Sequence, residues 1–312
     1  MISLREIHQK YDTQEACMAL LVEMRWPDGV RCVRCGNERV FKIPRRNWTW
    51  VCKSGKETVS EDTGLVSVCH KKNGYRFSAL VGTVFENTNY PVPVWFEVIY
   101  LICQSKKGIS ALQVQRMLQE DGRPTAYKTA FYICHRVRAM LGNDNAKLTG
   151  EVEIDETFLG GKQKNRHANV RAKYRGGGAA HTGKTTVIGA IARKGNVVCK
   201  MIENTSADTL AEFVETTVAD KVSLIATDEY SGYRDLKYFY PHETVQHRKG
   251  EYVRGEVHTA NIENFWSLLK RGVIGTYHNV SKKYLPLYLN EFSWRFNNRK
   301  NPDIFKSAIA GC

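Results

Sequence analysis

The sequence predicts a multidomain chain that ends in an α/β domain with a mixed sheet, and three observations predict it. A C-x-x-C knuckle sits among short β-type runs after "RWPDGVRCVRCG". Stretches of helical periodicity fill residues 94–145. From residue 150 the texture turns to strand-like alternation interleaved with amphipathic helices. The expected domains are 1–30, an N-terminal helix; 31–88, a cysteine module; 89–147, a helical region; and 148–312, the α/β domain.

Each element follows from its own residues. "DTQEACMALLVEM" is a helix with Asp12 and Glu15 as a capping box, stopped by the proline and glycine of "RWPDG". "RVFKI", "WTWVC", "LVSVC" and "YRFSA" are short strands between turns. "VWFEVIYLIC", "ISALQVQRMLQE" and "TAYKTAFYICHRVRAML" are helices. The break "DGRPT" between the last two gives a helix-turn-helix outline, a geometry that reads DNA. "EVEIDETF" and "TTVIGAIAR" are strands, and the tight turn "KGN" leads into "VVCKMIE" as a hairpin partner. "SADTLAEFVETTV" is an amphipathic helix opened by Ser206, and "SLIATDEY" is a buried strand. "HTANIENFWSLLKRGV" and "YLPLYLNEFSWRFNNR" close the chain as helices.

Charge points to a polyanion. Lysines and arginines number 46 against 32 acids, a net charge of +14 over 312 residues. They lie beside aromatics in "RRNWTWVCK", "KNGYRF", "RAKYRGGG" and "FSWRFNNRK", a mixture suited to phosphate contact with base stacking. No run reaches the roughly eighteen apolar residues of a membrane span, and "MISLREIHQK" lacks the apolar core of a signal peptide. The expectation is a cytoplasmic protein with no membrane partner.

One motif misleads. Gly178, Gly183, Lys184 and Thr185 fit G-x-x-x-x-G-K-[ST]. A working phosphate loop follows a hydrophobic strand and opens a helix. Here basic, turn-like residues precede it, and the β-branched "TTVIGAIA" follows. The segment reads as a loop that touches a DNA backbone through Lys184, and no ATP is expected.

Acids at the edges of the α/β elements carry a stronger signal. Asp155 falls mid-strand, where a carboxylate is costly unless paired or bound to metal. Asp228 ends a strand at the edge where open α/β sheets place their sites. Glu263 lies in the first turns of a helix that can cross that edge. Two such charges 4 Å apart repel by roughly 4 kcal/mol at an effective dielectric near 20, so the trio needs protons or cations. Two Mg²⁺ ions, with Mn²⁺ as the alternative, suit oxygen ligands and phosphodiester chemistry.

The cysteines supply a second metal candidate. Nine cysteines at uneven spacing do not read as a disulfide framework. Cys32 and Cys35 form the knuckle with Gly36 as its turn, and Cys52 and Cys69 complete a tetrahedral thiolate site for Zn²⁺. Cys17, Cys103, Cys134 and Cys199 stand in apolar contexts and read as core packing.

Taken with "GTVFENT", "KKGIS", "IDETFLGGK", "TDEYSGY" and "HTANIENFWSLLKRGVIGTYHNVSKKYL", these blocks resemble the bacterial insertion-sequence DDE transposases that carry an N-terminal zinc ribbon and an RNase H-like, integrase-type core. The resemblance covers most of the chain. It implies a mixed five-stranded sheet, two metals on Asp155, Asp228 and Glu263, and cleavage of double-stranded DNA with transfer of the element's 3′ end. It also implies a homodimer or higher oligomer on DNA and a nucleoid-associated location in a bacterium. Some relatives carry Asn as the third ligand, so Asn261 stands as an alternative to Glu263 or as its supporting neighbour. Lys270, seven residues after Glu263, would reach phosphate beside the metals, with Arg271 next to it and His258 at the helix start. The ribbon departs from the family pattern. Relatives close it with a second tight C-x-x-C, whereas "KSGKETVSEDTGLVSV" separates Cys52 from Cys69, and His70 becomes a rival fourth ligand. Two rival functions share this fold: a DNA-binding regulator with an inactive core, and a nuclease that cuts without joining.

Overall fold

The structure is a computed structural model, and it describes residues 2–59, 64–142, 147–160, 167–169, 184–246, 249, 251, 253–255 and 257–311. It divides into two compact units. One holds residues 1–104, 114–140 and 302–312, the other 105–113 and 141–301.

The first unit opens with two helices where the sequence predicts one. In α1, Leu4–Lys10, the Ser3 hydroxyl accepts from the Glu6 N–H at 3.2 Å, and the Glu6 carboxylate accepts from the Ser3 N–H at 2.7 Å. The capping box therefore belongs here. In α2, Gln14–Arg25, the cap is Thr13, whose hydroxyl accepts from the Ala16 N–H at 3.2 Å, and not Asp12. The cysteine module is an antiparallel sheet of β1, Val40–Lys42, β2, Thr49–Cys52, and β5, Tyr75–Ser78, in the order β1-β2-β5. Between β2 and β5 stands an inserted hairpin of β3, Glu57–Val59, and β4, Val66–Val68. Trp50 stacks on Phe77, and Trp26 meets both edge-on, so aromatic rings form this small module's apolar centre.

Helices α3, Val92–Gln104, α4, Ala111–Glu120, and α5, Tyr127–Met140, follow the predicted periodicity. The carbonyl of Thr125 accepts from Gln115 and Gln119 at 3.0 and 3.2 Å, which fixes the turn between α4 and α5. The final helix, α9, Ile304–Ala310, packs in this first unit, with Phe305 against Tyr11, Phe96 and Tyr100. The C-terminal residues therefore leave the α/β domain to which the sequence assigns them.

The second unit is built on a mixed five-stranded sheet. Its strands are β6, Glu151–Leu159, β7, Thr185–Ala192, β8, Val197–Ile202, β9, Leu224–Asp228, and β10, His242–Val245. Their order is β10-β9-β6-β7-β8. β6, β7 and β8 pair antiparallel; β9 and β10 run parallel to β6. α6, Ala207–Thr217, crosses between β8 and β9, with Ser206 as its cap. Alternation divides the strands between two apolar layers. Ile154, Ile188 and Ala190 join Leu210, Phe213 and Tyr233 on one face. Val187, Leu159 and Ile191 join Ile262, Phe265, Trp266 and Leu269 on the other. That second layer is supplied by α7, Ala260–Arg271, and α8, Leu285–Asn297. A two-stranded ribbon of β11, Val253–Arg254, and β12, Val257–His258, leads into α7. Among the described residues, no helix is long and apolar enough to cross a membrane.

Candidate active site and metal centre

Strand alternation places the acids. On β6 the side chains of Glu153, Asp155 and Thr157 share one face, and Glu156 takes the other. Asp155 lies opposite Gly189 of β7. A β-carbon on Gly189 would sit 2.6 Å from the Trp266 ring, so this glycine makes room for the indole over the sheet. Trp266 Nε1 then donates to Asp155 Oδ2 at 3.0 Å.

A cleft of about 620 Å³ opens beside this pair, lined by Asp155, Glu156 and Thr157 from β6 and by Glu263, Trp266, Ser267, Lys270 and Arg271 from α7. The α7 residues are spaced i, i+3, i+4, i+7 and i+8, one stripe of the helix. Glu263 is oriented by Thr259, whose hydroxyl donates to Glu263 Oε1 at 2.8 Å. Asp228 ends β9 and accepts from the Tyr230 N–H at 2.9 Å.

Electrostatics couple these groups. Burial, then the charge of Asp228, raises the Asp155 carboxyl to about 6, with a smaller push from Glu263 and opposition from the Trp266 hydrogen bond. Burial raises Glu156 to about 7, against the hydrogen bond it accepts from Tyr233, with the charges of Asp155 and Asp228 adding to the rise. Tyr233 is fully buried, and burial pushes its hydroxyl well above the usual range. Burial and the charge of Asp228 both favour the protonated Asp155 carboxyl, a penalty that a bound cation would offset, and carboxylate oxygens are donors of the kind Mg²⁺ takes.

Other sequence-predicted residues fall elsewhere. Asn261 turns to Glu153, with Nδ2 donating to its Oε1 at 2.7 Å, and it is not among the residues lining the cleft. His258 Nδ1 stands 3.1 Å from the same Glu153 carboxylate. Lys184 immediately precedes β7, as expected of a residue that opens a strand and not a helix. Gly178 and Gly183 of the apparent phosphate loop lie outside the described residues. Sequence reading missed Glu153, Glu156, Trp266 and Tyr233. The glycine inside the apolar run "TTVIGAIA" was the available signal, since a strand glycine marks close approach.

The candidate metal centre of the first unit is compact. Among the described residues, Cys32, Cys35, Cys52 and Cys69 form one group whose sulfurs all lie within 4.8 Å of one another. Cys32 Sγ is 3.9 Å from Cys69 Sγ, and Cys35 Sγ is 3.6 Å from Cys52 Sγ. Four sulfurs about 2.3 Å from a zinc ion stand roughly 3.8 Å apart on a tetrahedron, so the donors fit Zn²⁺. The inserted hairpin delivers the fourth ligand: Cys69 N–H donates to the Lys56 carbonyl at 3.0 Å, and its own carbonyl accepts from the Gly55 N–H at 2.7 Å. Cys69 is buried in the cluster, whereas His70 is exposed and outside it. Burial pushes the Cys35 thiol up, but hydrogen bonds from Ser54, the Asn37 amide and the neighbouring cysteines outweigh it and bring it down to about 6. Burial raises Cys32 and Cys69.

Known proteins match along the same division. A family model described as an ISXO2-like transposase domain matches residues 147–297, and one described as a transposase zinc-ribbon domain matches residues 12–57. The second match takes in three of the four clustered cysteines, Cys32, Cys35 and Cys52, and ends before Cys69. A protein of Halobacterium salinarum, described as an uncharacterized protein in transposable element ISH50, is 26% identical over 287 residues, 88% of each chain. A cryoEM structure of a simian T-cell lymphotropic virus intasome with PP2A regulatory subunit B56 gamma aligns with 56% of this chain and 63% of that one. At 14% identity and a TM-score of 0.28, that likeness carries no argument.

Proposed function

Because the chain belongs to the insertion-sequence transposases that join a zinc ribbon to an ISXO2-like transposase domain, we propose that its acid cleft cuts DNA at the element's ends and transfers the 3′ ends to target DNA. The observation that carries this reading is the cleft itself. Half-buried Asp155 of β6 faces Glu263, Lys270 and Arg271 of α7 across one opening, with Glu156 at its edge and Asp228 close enough to perturb Asp155.

Asp155, Asp228 and Glu263 would hold Mg²⁺, and when bound the ions supply an activated attacking oxygen and charge stabilisation for the leaving one. The chain's own groups do the positioning. Trp266 holds Oδ2 of Asp155 through its indole N–H. Thr259 fixes the Glu263 carboxylate in the same way. Lys270 and Arg271, exposed on the cleft-lining stripe, would draw in the phosphodiester. Lys184, at the start of β7, would touch the backbone farther along. The mixed five-stranded sheet covered on both faces supports an RNase H-like core.

In the first unit, Zn²⁺ on the four cysteines would hold a ribbon too small to stay folded on apolar burial alone. The ribbon and the α4–α5 pair, used as a helix-turn-helix, would recognise the terminal repeats. Joining two ends to one target requires at least two copies on DNA.

The test incubates the protein with labelled duplex DNA from an element end, a plasmid target and Mg²⁺. Joined product supports the reading. Cut but unjoined DNA identifies a nuclease, and a bound, uncut complex identifies a regulator.

A further inference from the structure

We propose that Glu153 is a positioning residue for the cleft: its carboxylate anchors the first turn of α7 and so sets where Glu263, Trp266 and Lys270 stand over Asp155. The inference rests on the reading of the cleft given above.

Glu153 is fully buried in the middle of the sheet. A carboxylate in that position is tolerated only when its acceptor sites are filled. Here they are. Oε2 accepts from the backbone N–H groups of Asn261 at 2.8 Å and Ile262 at 3.2 Å. Oε1 accepts from Asn261 Nδ2 at 2.7 Å and Arg193 Nε at 3.1 Å. Arg193 is itself held by Glu151 on the same strand.

These bonds replace an ordinary cap. The first amides of a helix normally find a Ser, Thr, Asp or Asn side chain at the residue just before it. Thr259 occupies that place and is of the right type, yet it makes no capping bond. Its hydroxyl goes to Glu263 instead. The helix amides are satisfied from the sheet, by a residue 108 positions away in sequence. A negative charge there also meets the positive end of the helix dipole. The two tasks are thereby divided: Thr259 orients the acid, and Glu153 fixes the helix that carries it.

The anchor lies where it matters. Glu153 and Asp155 are two residues apart on one strand face, so about 7 Å separates the anchor from the acid. Glu263 stands one residue beyond the anchored amides. Sliding or tilting α7 against β6 would break the bonds to Glu153 and change the spacing of Asp155 and Glu263 together.

Glu153→Asp is the decisive variant. It keeps a charge beside Arg193 but retracts the carboxylate by one methylene, too short to serve both Arg193 and the helix amides. Three quantities are measured per folded molecule: cleavage of element-end duplex in Mg²⁺, affinity for that duplex, and Mn²⁺ binding read by electron paramagnetic resonance. The expected result is a loss of about 10- to 100-fold in cleavage and about tenfold in Mn²⁺ affinity, with DNA affinity within about twofold. Faster amide exchange at Asn261 and Ile262 accompanies it. Should Glu153→Asp fail to fold, Asn261→Ala removes one bond to Oε1 and leaves the rest. It then shows the same pattern at up to about a tenfold loss. Cleavage and Mn²⁺ affinity equal to wild type in the folded variant would overturn the proposal, as would losses that follow the folded fraction alone. An Asp155→Asn protein that cuts like the wild type removes the reading of the cleft, and this inference with it. Wild-type behaviour confined to Glu153→Asp removes the inference alone.

Discussion

The cysteine cluster and the acid cleft are both candidate metal sites, but they are assembled differently. The four sulfurs lie within 4.8 Å of one another, while the carboxylates face a shared opening without forming such a group among the described residues. A thiol can hydrogen-bond to a neighbouring thiol or thiolate, as in the pairs Cys32–Cys69 and Cys35–Cys52. Ionised carboxylates cannot, and at contact they repel by several kcal/mol even at an effective dielectric near 20. The cleft therefore props each acid from outside, Asp155 by Trp266 and Glu263 by Thr259. The thiol cluster closes on itself, whereas the acid cleft holds its charges apart and stays open.

Four experiments would break or sharpen that contrast. The largest effect belongs to the acids. Asp155→Asn and Asp228→Asn should each lower cleavage by at least about a hundredfold, with DNA affinity near wild type, because charge stabilisation is lost and the basic surface is not. Gel analysis of element-end DNA at matched occupancy checks it, and retained cleavage in either variant would remove that acid from the site. Glu263→Gln should behave likewise. Asn261→Ala should retain activity within about tenfold of wild type, since its side chain serves Glu153. An inactive Asn261→Ala beside an active Glu263→Gln would transfer the third position to the asparagine.

The thiol cluster predicts a different kind of loss. Cys32→Ser and Cys69→Ser should each release the zinc measured by elemental analysis and weaken binding of terminal DNA, with the α/β unit still folded by circular dichroism. His70→Ala should keep its zinc, because His70 is exposed outside the cluster. Zinc lost from His70→Ala but kept by Cys69→Ser would reverse the assignment.

The smallest effect is a pH dependence of the acid cleft. Asp155 titrates near 6 and Glu156 near 7, both above the unfolded carboxyl range. Between about pH 4 and 7 these groups hold more protons in the folded chain than in the unfolded one, so their contribution to stability falls as pH rises through that window. In Mg²⁺-free buffer, Asp155→Asn should therefore melt a few degrees above wild type at pH 7.5, with the gap closing near pH 4.5. Added Mg²⁺ should raise the wild type and leave the variant nearly unchanged. A gap that does not depend on pH would mean that the folded chain does not hold the Asp155 carboxyl up.

Much of this was legible because the signals are local. Helical and strand periods located α3 to α8 and β6 to β9, and the spacing of Cys32 and Cys35 marked the metal centre. Asp155 and Asp228 showed as acids where apolar strands should carry none. Other features carried no local signal. β10 is four residues, "HETV", and becomes a strand because β9 offers it a parallel edge. The short α1 lies ahead of the first long apolar stretch, and Ser3 and Glu6 cap it as well as any longer helix.

The sequence by itself determined which chemistry the chain carries: a thiolate knuckle, acids at strand positions, and a basic surface for a polyanion. Only the tertiary structure decided which groups meet. Glu153 and Glu156 look alike in "EVEIDETF", but strand alternation sends one to the end of α7 and the other to Tyr233. Asn261 and Glu263 look equally eligible in "NIEN", but the helix points one into Glu153 and the other into the cleft. Residue type sets what a group can do and is written one position at a time. Partnership depends on which face of an element meets which neighbour, and that is fixed when the sheet and its helices pack.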